Sequence, residues 1–257
     1  AGEVALRTGQ VKRIIWGLDY ESFRGGKELL HEEYGPYPIY LYDTNIWNDV
    51  QYLYNISTLE DSLRVLKRKL TNTEQPAIPL DLLNNWQKKY NYAFQLKYVY
   101  DHYKQAREAD IQAAQEGETD SLAAAQESFE HNVLRVVREH PEVEYHFFYP
   151  PYSILRFQLW YEYQPERFYN QLEIKKYIYD QLSAYPNVHI HDFQSEMEIT
   201  HRLENYKDVS HYSQAINQYM IEQMAAGTYE TRSMEEVIRV NGELLNQVRN
   251  YQADIPE

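Results

Sequence analysis

Asp208 and His211 stand three positions apart in the stretch NYKDVSHYSQAINQYM (205–220), just ahead of an amphipathic pattern. Two intervening residues let a loop fold the carboxylate against one imidazole nitrogen. A carboxylate in that place fixes the tautomer and supports an imidazolium, which leaves the other nitrogen to take a proton from a hydroxyl. The same spacing occurs in polar loops whose Asp bonds only nearby backbone, so the pair gains meaning from where the fold puts it. His189 and His191, with Asp192 following, form a second group. On a strand both rings point to one face, and zinc accepts three such ligands and a water. The reading favoured here is two exposed rings on an edge strand, with no metal and no cofactor expected. Cysteine is absent, which excludes disulfides, thiolate metal sites and cysteine nucleophiles within this chain.

Three strands and the helices between them must position the Asp/His pair. Ile14, Ile15 and Trp16 make a short apolar run that stops at Gly17, as expected for a buried parallel strand over 12–16. A second strand over 143–149 ends at Pro150 and Pro151, which cannot continue a central ladder. A third, 187–193, sets Val188 and Ile190 on one face and His189 and His191 on the other. Helices are expected over 166–184, over 214–226 with Ser213 as N-cap and Ile216, Met220 and Met224 on one stripe, and from a Ser233/Glu236 capping box to about 250. Strands alternating with helices predict an α/β domain, a three-layer α/β/α arrangement with a mostly parallel sheet covered on both faces. Ligands of such sheets lie beyond the carboxyl ends of the strands. Three loops would meet there: GLDY after the first strand, PPYS after the second, and the segment with KDVSHYS after the third.

Elsewhere the patterning is helical. Residues 3–9 read as a helix stopped by Gly9, 21–42 as loop, and 43–71 as two helices. In the second of these, Thr58 and Asp61 resemble a cap, and Leu59, Leu63, Leu66 and Leu70 are assigned to the core. TEQPAIP at 73–79 breaks the chain, 81–115 is helical and Tyr-rich, and a helix is expected over about 121–139. With no internal repeat, residues 1–257 are expected to form a single domain, with 73–120 as a helical excursion that caps the site.

The formal charge is -14, from 39 acidic and 25 basic residues. No basic run exceeds KRK at 67–69, and nucleic-acid affinity rests on cationic neutralisation of phosphates, so a nucleic-acid partner is not expected. The 26 tyrosines are about three times ordinary usage and suit carbohydrate contact through an apolar ring with a polar tip. No stretch approaches the roughly 18 to 20 apolar residues of a membrane span. AGEVALRTGQ at the start has no signal-peptide pattern.

The blocks IIWGLDY, FFYPPYS, NVHIHDF and NYKDVSHYS, in this order, resemble an uncharacterised bacterial branch of the SGNH (GDSL-type) hydrolases and their acyltransferase relatives, from Val11 to about Tyr251. NYKDVSHYS carries the most specific part, the Asp-x-x-His block before the final helix. The resemblance implies a serine esterase or O-acyltransferase with His211 as general base and Asp208 as its orienting acid. Its substrate would be a small acyl ester, such as an O-acetylated cell-envelope glycan. Gly17, Leu18, Asp19 and Tyr20 align with the family's Gly-x-Asn-Asp block. Asp19 stands where an Asn amide would donate to the oxyanion; an ionised carboxylate cannot donate, so a structural Asp is expected there. Pro151 and Tyr152 would lie beside the substrate. The family's Gly-Asp-Ser-like turn and first strand have no counterpart, so the resemblance leads one to expect that the chain is the C-terminal part of a longer protein, held outside the cytoplasmic membrane behind an N-terminal anchor. Ser22, Ser153, Ser210 and Ser213 are poor candidates for the missing nucleophile. The alternative is a catalytically inactive glycan-binding or scaffold domain.

Overall fold

The computed structural model describes residues 5–28, 37–54, 56–71, 87–117, 120–253 and 255. The chain divides into two compact units, 1–10 with 30–86 and 11–29 with 87–257, so the 73–120 stretch is shared between them.

The second unit is an α/β fold built on three parallel strands in the order β1 (Arg13–Gly17), β2 (Glu144–Tyr149), β3 (Val188–Asp192). Arg13 pairs with Glu144 and Gly17 with Phe148; Tyr145 pairs with Val188 and Tyr149 with Asp192. Alternation along β2 separates two faces. Tyr145, Phe147 and Tyr149 are buried together with Ile190 and Asp192, whereas Glu144, His146 and His189 are half-buried beside an exposed Ile15. The outer side of β3 is held by residues 229–231, where Asp192 N–H donates to Tyr229 O (2.9 Å) and Thr231 N–H to Ile190 O (2.8 Å). Tyr229 takes the left-handed conformation (φ 56°) to make that turn.

The helices of this unit are α1 (Tyr20–Arg24), α4 (Gln87–Tyr90), α5 (Leu96–Gln115), α6 (Leu122–Phe129), α7 (Arg135–Glu139), α8 (Ile154–Tyr163), α9 (Pro165–Leu182), α10 (Met197–Thr200), α11 (Gln214–Ala225) and α12 (Met234–Asn250), with a π-helical turn over Glu130–Leu134 joining α6 to α7. One core cluster gathers Trp160, Phe157, Phe168, Phe193, Tyr206, Met220 and Leu244 from α8, α9, α11, α12 and the loop after β3. Helix α8 escapes a reading by periodicity because Ile154, Leu155, Phe157, Leu159 and Trp160 are all buried and leave no polar stripe to mark a face. The 21–42 stretch is not all loop: α1 occupies its start, since Asp19 caps the first turn by accepting from Glu21 N–H (3.1 Å). Gly9 ends a helical turn at positive φ (66°), its N–H bonded to Leu6 O.

In the first unit, α2 (Val50–Leu53) and α3 (Ile56–Leu70) follow a 3-10 turn over Ile39–Tyr42. Two expectations fail there. Helix α3 begins before Thr58, so Thr58 is not its cap, and Asp61 pairs with Arg64 instead (2.7 Å). Leu59, Leu63, Leu66 and Leu70 are all more than half exposed rather than core. Periodicity places apolar residues on one face but supplies no surface to cover it. The expected break at 73–79 and the start of the 81–115 helix lie outside the described residues.

The buried face is anchored by an ion pair. Lys175 Nζ lies 2.7 Å from Asp192 Oδ2, both side chains almost wholly buried, with the ammonium 4.9 Å from the Tyr149 ring centre. Burial pulls the lysine's pKa down against the opposing pull of Asp192. Removing one partner leaves an uncompensated charge in a place water cannot reach. Lys175→Met is therefore expected to cost about 3–5 kcal/mol, and the double variant Lys175→Met/Asp192→Asn to recover much of it. Urea unfolding at neutral pH is the check; a double variant no more stable than the single one contradicts this account.

Candidate functional site

All three strands point the same way, so the loops leaving their carboxyl ends emerge at one edge, and hydrogen bonds tie them together. Leu18 N–H donates to Phe148 O (2.8 Å), joining the first loop to the end of β2. Gly17 lies against the Phe148 ring, where an added Cβ would come within 3.2 Å of it. Gln194 Nε2 donates to Pro150 O (3.3 Å). Ser153 gives both its N–H (3.1 Å) and its hydroxyl (2.7 Å) to Val209 O, and the buried Tyr206 hydroxyl donates to Pro151 O (2.7 Å). The PPYS loop is thus the clamp that holds the Asp/His loop at the strand ends.

Within that loop Tyr206 and Tyr212 pair antiparallel and Lys207 N–H donates to His211 O (2.9 Å), closing a tight turn. Asp208 fills it. Its Oδ1 accepts the N–H groups of Ser210 (2.9 Å) and His211 (2.8 Å), and its two oxygens lie 2.9 and 2.8 Å from His211 Nδ1. Burial pushes the Asp208 pKa up, but the imidazole and the two amides outweigh it and hold the carboxyl well below the usual range. A carboxylate at Nδ1 assigns the proton to that nitrogen and the lone pair of the neutral ring to Nε2. The Asp208 side chain is 13% exposed and that of His211 61%, so a sheltered anion backs a ring that faces outward. Lys207 Nζ adds a cation 3.4 Å from Asp208 Oδ2 and sits 4.8 Å from the Tyr90 ring centre, while Gln87 Oε1 accepts Gln214 N–H (2.5 Å). Helix α4 therefore borders the loop, and Gln87 supplies the α11 cap contact that the Ser213 hydroxyl does not make.

Asp19, Tyr152 and Tyr212 form the adjoining wall. Besides capping α1, Asp19 lies near the Tyr152 hydroxyl, and burial raises its pKa. Burial, followed by the Asp19 charge, also raises the pKa values of the Tyr152 and Tyr212 hydroxyls. The Tyr152 ring meets Trp160 edge-on, and Arg156 stacks on Trp160 while pairing with Asp110 (2.9 Å). Tyr212, Tyr206 and Arg156 were not singled out by sequence; Tyr212 had the one available signal, its place next to His211.

Other candidates are distributed differently. Ser153 is buried with its hydroxyl committed to Val209 O, and Ser22 is exposed on α1. The expected pair of exposed rings on β3 is corrected: His191 is 1% exposed, because residues 228–230 cover it. Asp192 points to the opposite face, toward Lys175, so His189, His191 and Asp192 do not share a site. Compared with known proteins, the chain matches no family model, no curated protein and no solved structure.

Because the pKa of Asp208 is lower folded than unfolded, its contribution to stability is present above the ordinary carboxylate range and is lost as pH falls through the depressed folded value. Asp208→Asn is expected to cost about 1–3 kcal/mol at neutral pH. The gap to the unmodified chain should narrow below about pH 4. Urea unfolding of both proteins across that range measures it, and a gap independent of pH contradicts the assignment.

Proposed function

We propose that this chain supplies the base and acid of a serine-type esterase or O-acyltransferase with an SGNH-like three-layer α/β/α domain. One observation carries the reading: an ionised, sheltered Asp208 clasps Nδ1 of an outward-facing His211 at the carboxyl edge of a parallel sheet. In the reaction His211 Nε2 would take the proton of a serine hydroxyl as its Oγ attacks the acyl carbonyl, then return it to the departing alkoxide. Asp208 would stay ionised and balance the imidazolium. The strand order supports the same architecture. Three sequential parallel strands match the last three of a 2-1-3-4-5 doubly wound sheet, and among the described residues β1 pairs only with β2.

The nucleophile is proposed to come from outside this chain, since Ser153 is locked and Ser22 lies on a helix surface. Asp19 caps a helix, so it is assigned a structural part and not an oxyanion contact. The Tyr152 and Tyr212 rings beside the loop suit a sugar ring, which favours an O-acetylated glycan of the cell envelope as substrate, with the whole protein outside the cytoplasmic membrane. No helix among the described residues is long and apolar enough to cross a membrane.

A second reading, an inactive glycan-binding or scaffold domain, draws on the turn itself, because Asp208 also organises its loop through two backbone amides. Assay of the full-length gene product on an acetyl ester separates the two. His211→Ala should lower kcat by about a thousandfold or more and Asp208→Asn by about 10²- to 10⁴-fold, while the 257-residue chain alone turns over nothing. Undiminished activity in His211→Ala overturns the proposal. Glycan binding without turnover in the intact protein selects the second reading.

A further inference from the structure

The half-buried face of the sheet carries a cluster of imidazoles and carboxylates separate from the Asp208/His211 loop. Strand register puts His146 beside His189, and the two-residue period adds Glu144 and His191 to the same face. The His146 and His189 rings stack with centres 4.8 Å apart, and those of His146 and His191 lie 5.7 Å apart. One ligand atom from each of Glu144, His146 and His189 falls within 4.8 Å of the others.

Hydrogen bonding sets which nitrogens carry protons. His191 Nδ1 lies 3.0 Å from Thr228 O, and a carbonyl only accepts, so this nitrogen holds the proton. In the neutral ring Nε2 is then bare. His191 Nε2 faces His146 Nδ1 at 3.4 Å, which requires the hydrogen on His146 Nδ1. It follows that His146 Nε2, too, is bare in its neutral ring, yet it lies 3.0 Å from Glu144 Oε1. Two lone pairs facing at that distance call for a cation between or beside them. On β3, His189 Nδ1–H donates to Glu230 Oε1 (2.7 Å), which leaves the lone pair of the neutral ring on Nε2. A carboxylate behind a ligating imidazole is the usual support of a zinc ligand.

We propose that Glu144 Oε1, His146 Nε2 and His189 Nε2 form a binding site for one divalent transition ion, of which zinc best fits two imidazoles and a carboxylate, with water completing the tetrahedron. His191 and Glu230 are its positioning residues. Bonds of about 2.0–2.1 Å to a tetrahedral ion set ligand atoms about 3.3 Å apart, so binding opens the 3.0 Å Glu144–His146 contact slightly and brings His189, within 4.8 Å of both, closer. Arg13 on Glu144 Oε2 (2.7 Å) and Arg232 on Glu230 Oε2 (2.9 Å) bond the outer oxygens and leave the inner ones to the site. The site is independent of the proposed acyl chemistry, and its test needs no enzyme activity.

Zinc chloride titrated calorimetrically into the chelator-treated chain should bind at one ion per chain and raise Tm. His146→Ala and His189→Ala should each weaken binding at least about tenfold, and Glu230→Gln by about 10- to 100-fold. His102→Ala, an exposed position on α5, should change nothing. Glu144→Gln keeps the side-chain shape and covers the case of an alanine variant that does not fold; it too should weaken binding. Absence of saturable zinc means that the cation between Glu144 and His146 is a proton, and overturns the proposal. Binding weakened equally by His102→Ala also overturns it.

Discussion

Parallel pairing of three short strands is the constraint on which the remaining features depend. It sends every strand's carboxyl end to one edge, where Leu18 N–H donates to Phe148 O, the Gln194 side chain to Pro150 O, and Ser153 to Val209 O. Without that common direction the Asp208 turn would have no clamp. The same register sets His146 beside His189, so one geometric fact accounts for both the loop edge and the histidine face.

The two faces of the sheet solve different problems. On the covered face the charge of Lys175 and Asp192 is buried as a close pair, with Asp192 also accepting Gln194 N–H (2.9 Å). Such a pair adds little net stability over an apolar one, but a single partner left alone is costly. The other face leaves its polar groups partly wet, with Arg13 and Arg232 on the outer oxygens of its carboxylates. Asp208 lies between these extremes, sheltered by its own loop while its imidazole partner faces outward.

Local patterns were legible where they depend on neighbours in sequence. The three strands, the buried stripe of Ile216, Met220 and Met224, and the Ser233 cap of α12 follow from alternation, helical spacing and capping chemistry. Helix α8 was not legible, since burial on several sides erases the polar stripe on which a periodicity reading relies. The leucines of α3 show the converse: the helix forms, yet spacing says nothing of what lies opposite them.

By itself the sequence determined the α/β alternation and the nearness of Asp208 to His211, because a three-residue separation limits how far two side chains can part. Only the tertiary structure decided that Asp192 faces Lys175 and not the histidines, that residues 228–230 bury His191, and that Glu144 and His146 stand beside His189. Those relations join residues some 17 to 45 positions apart. Strand register and crossover direction set them, and neither is written in any local run of residues.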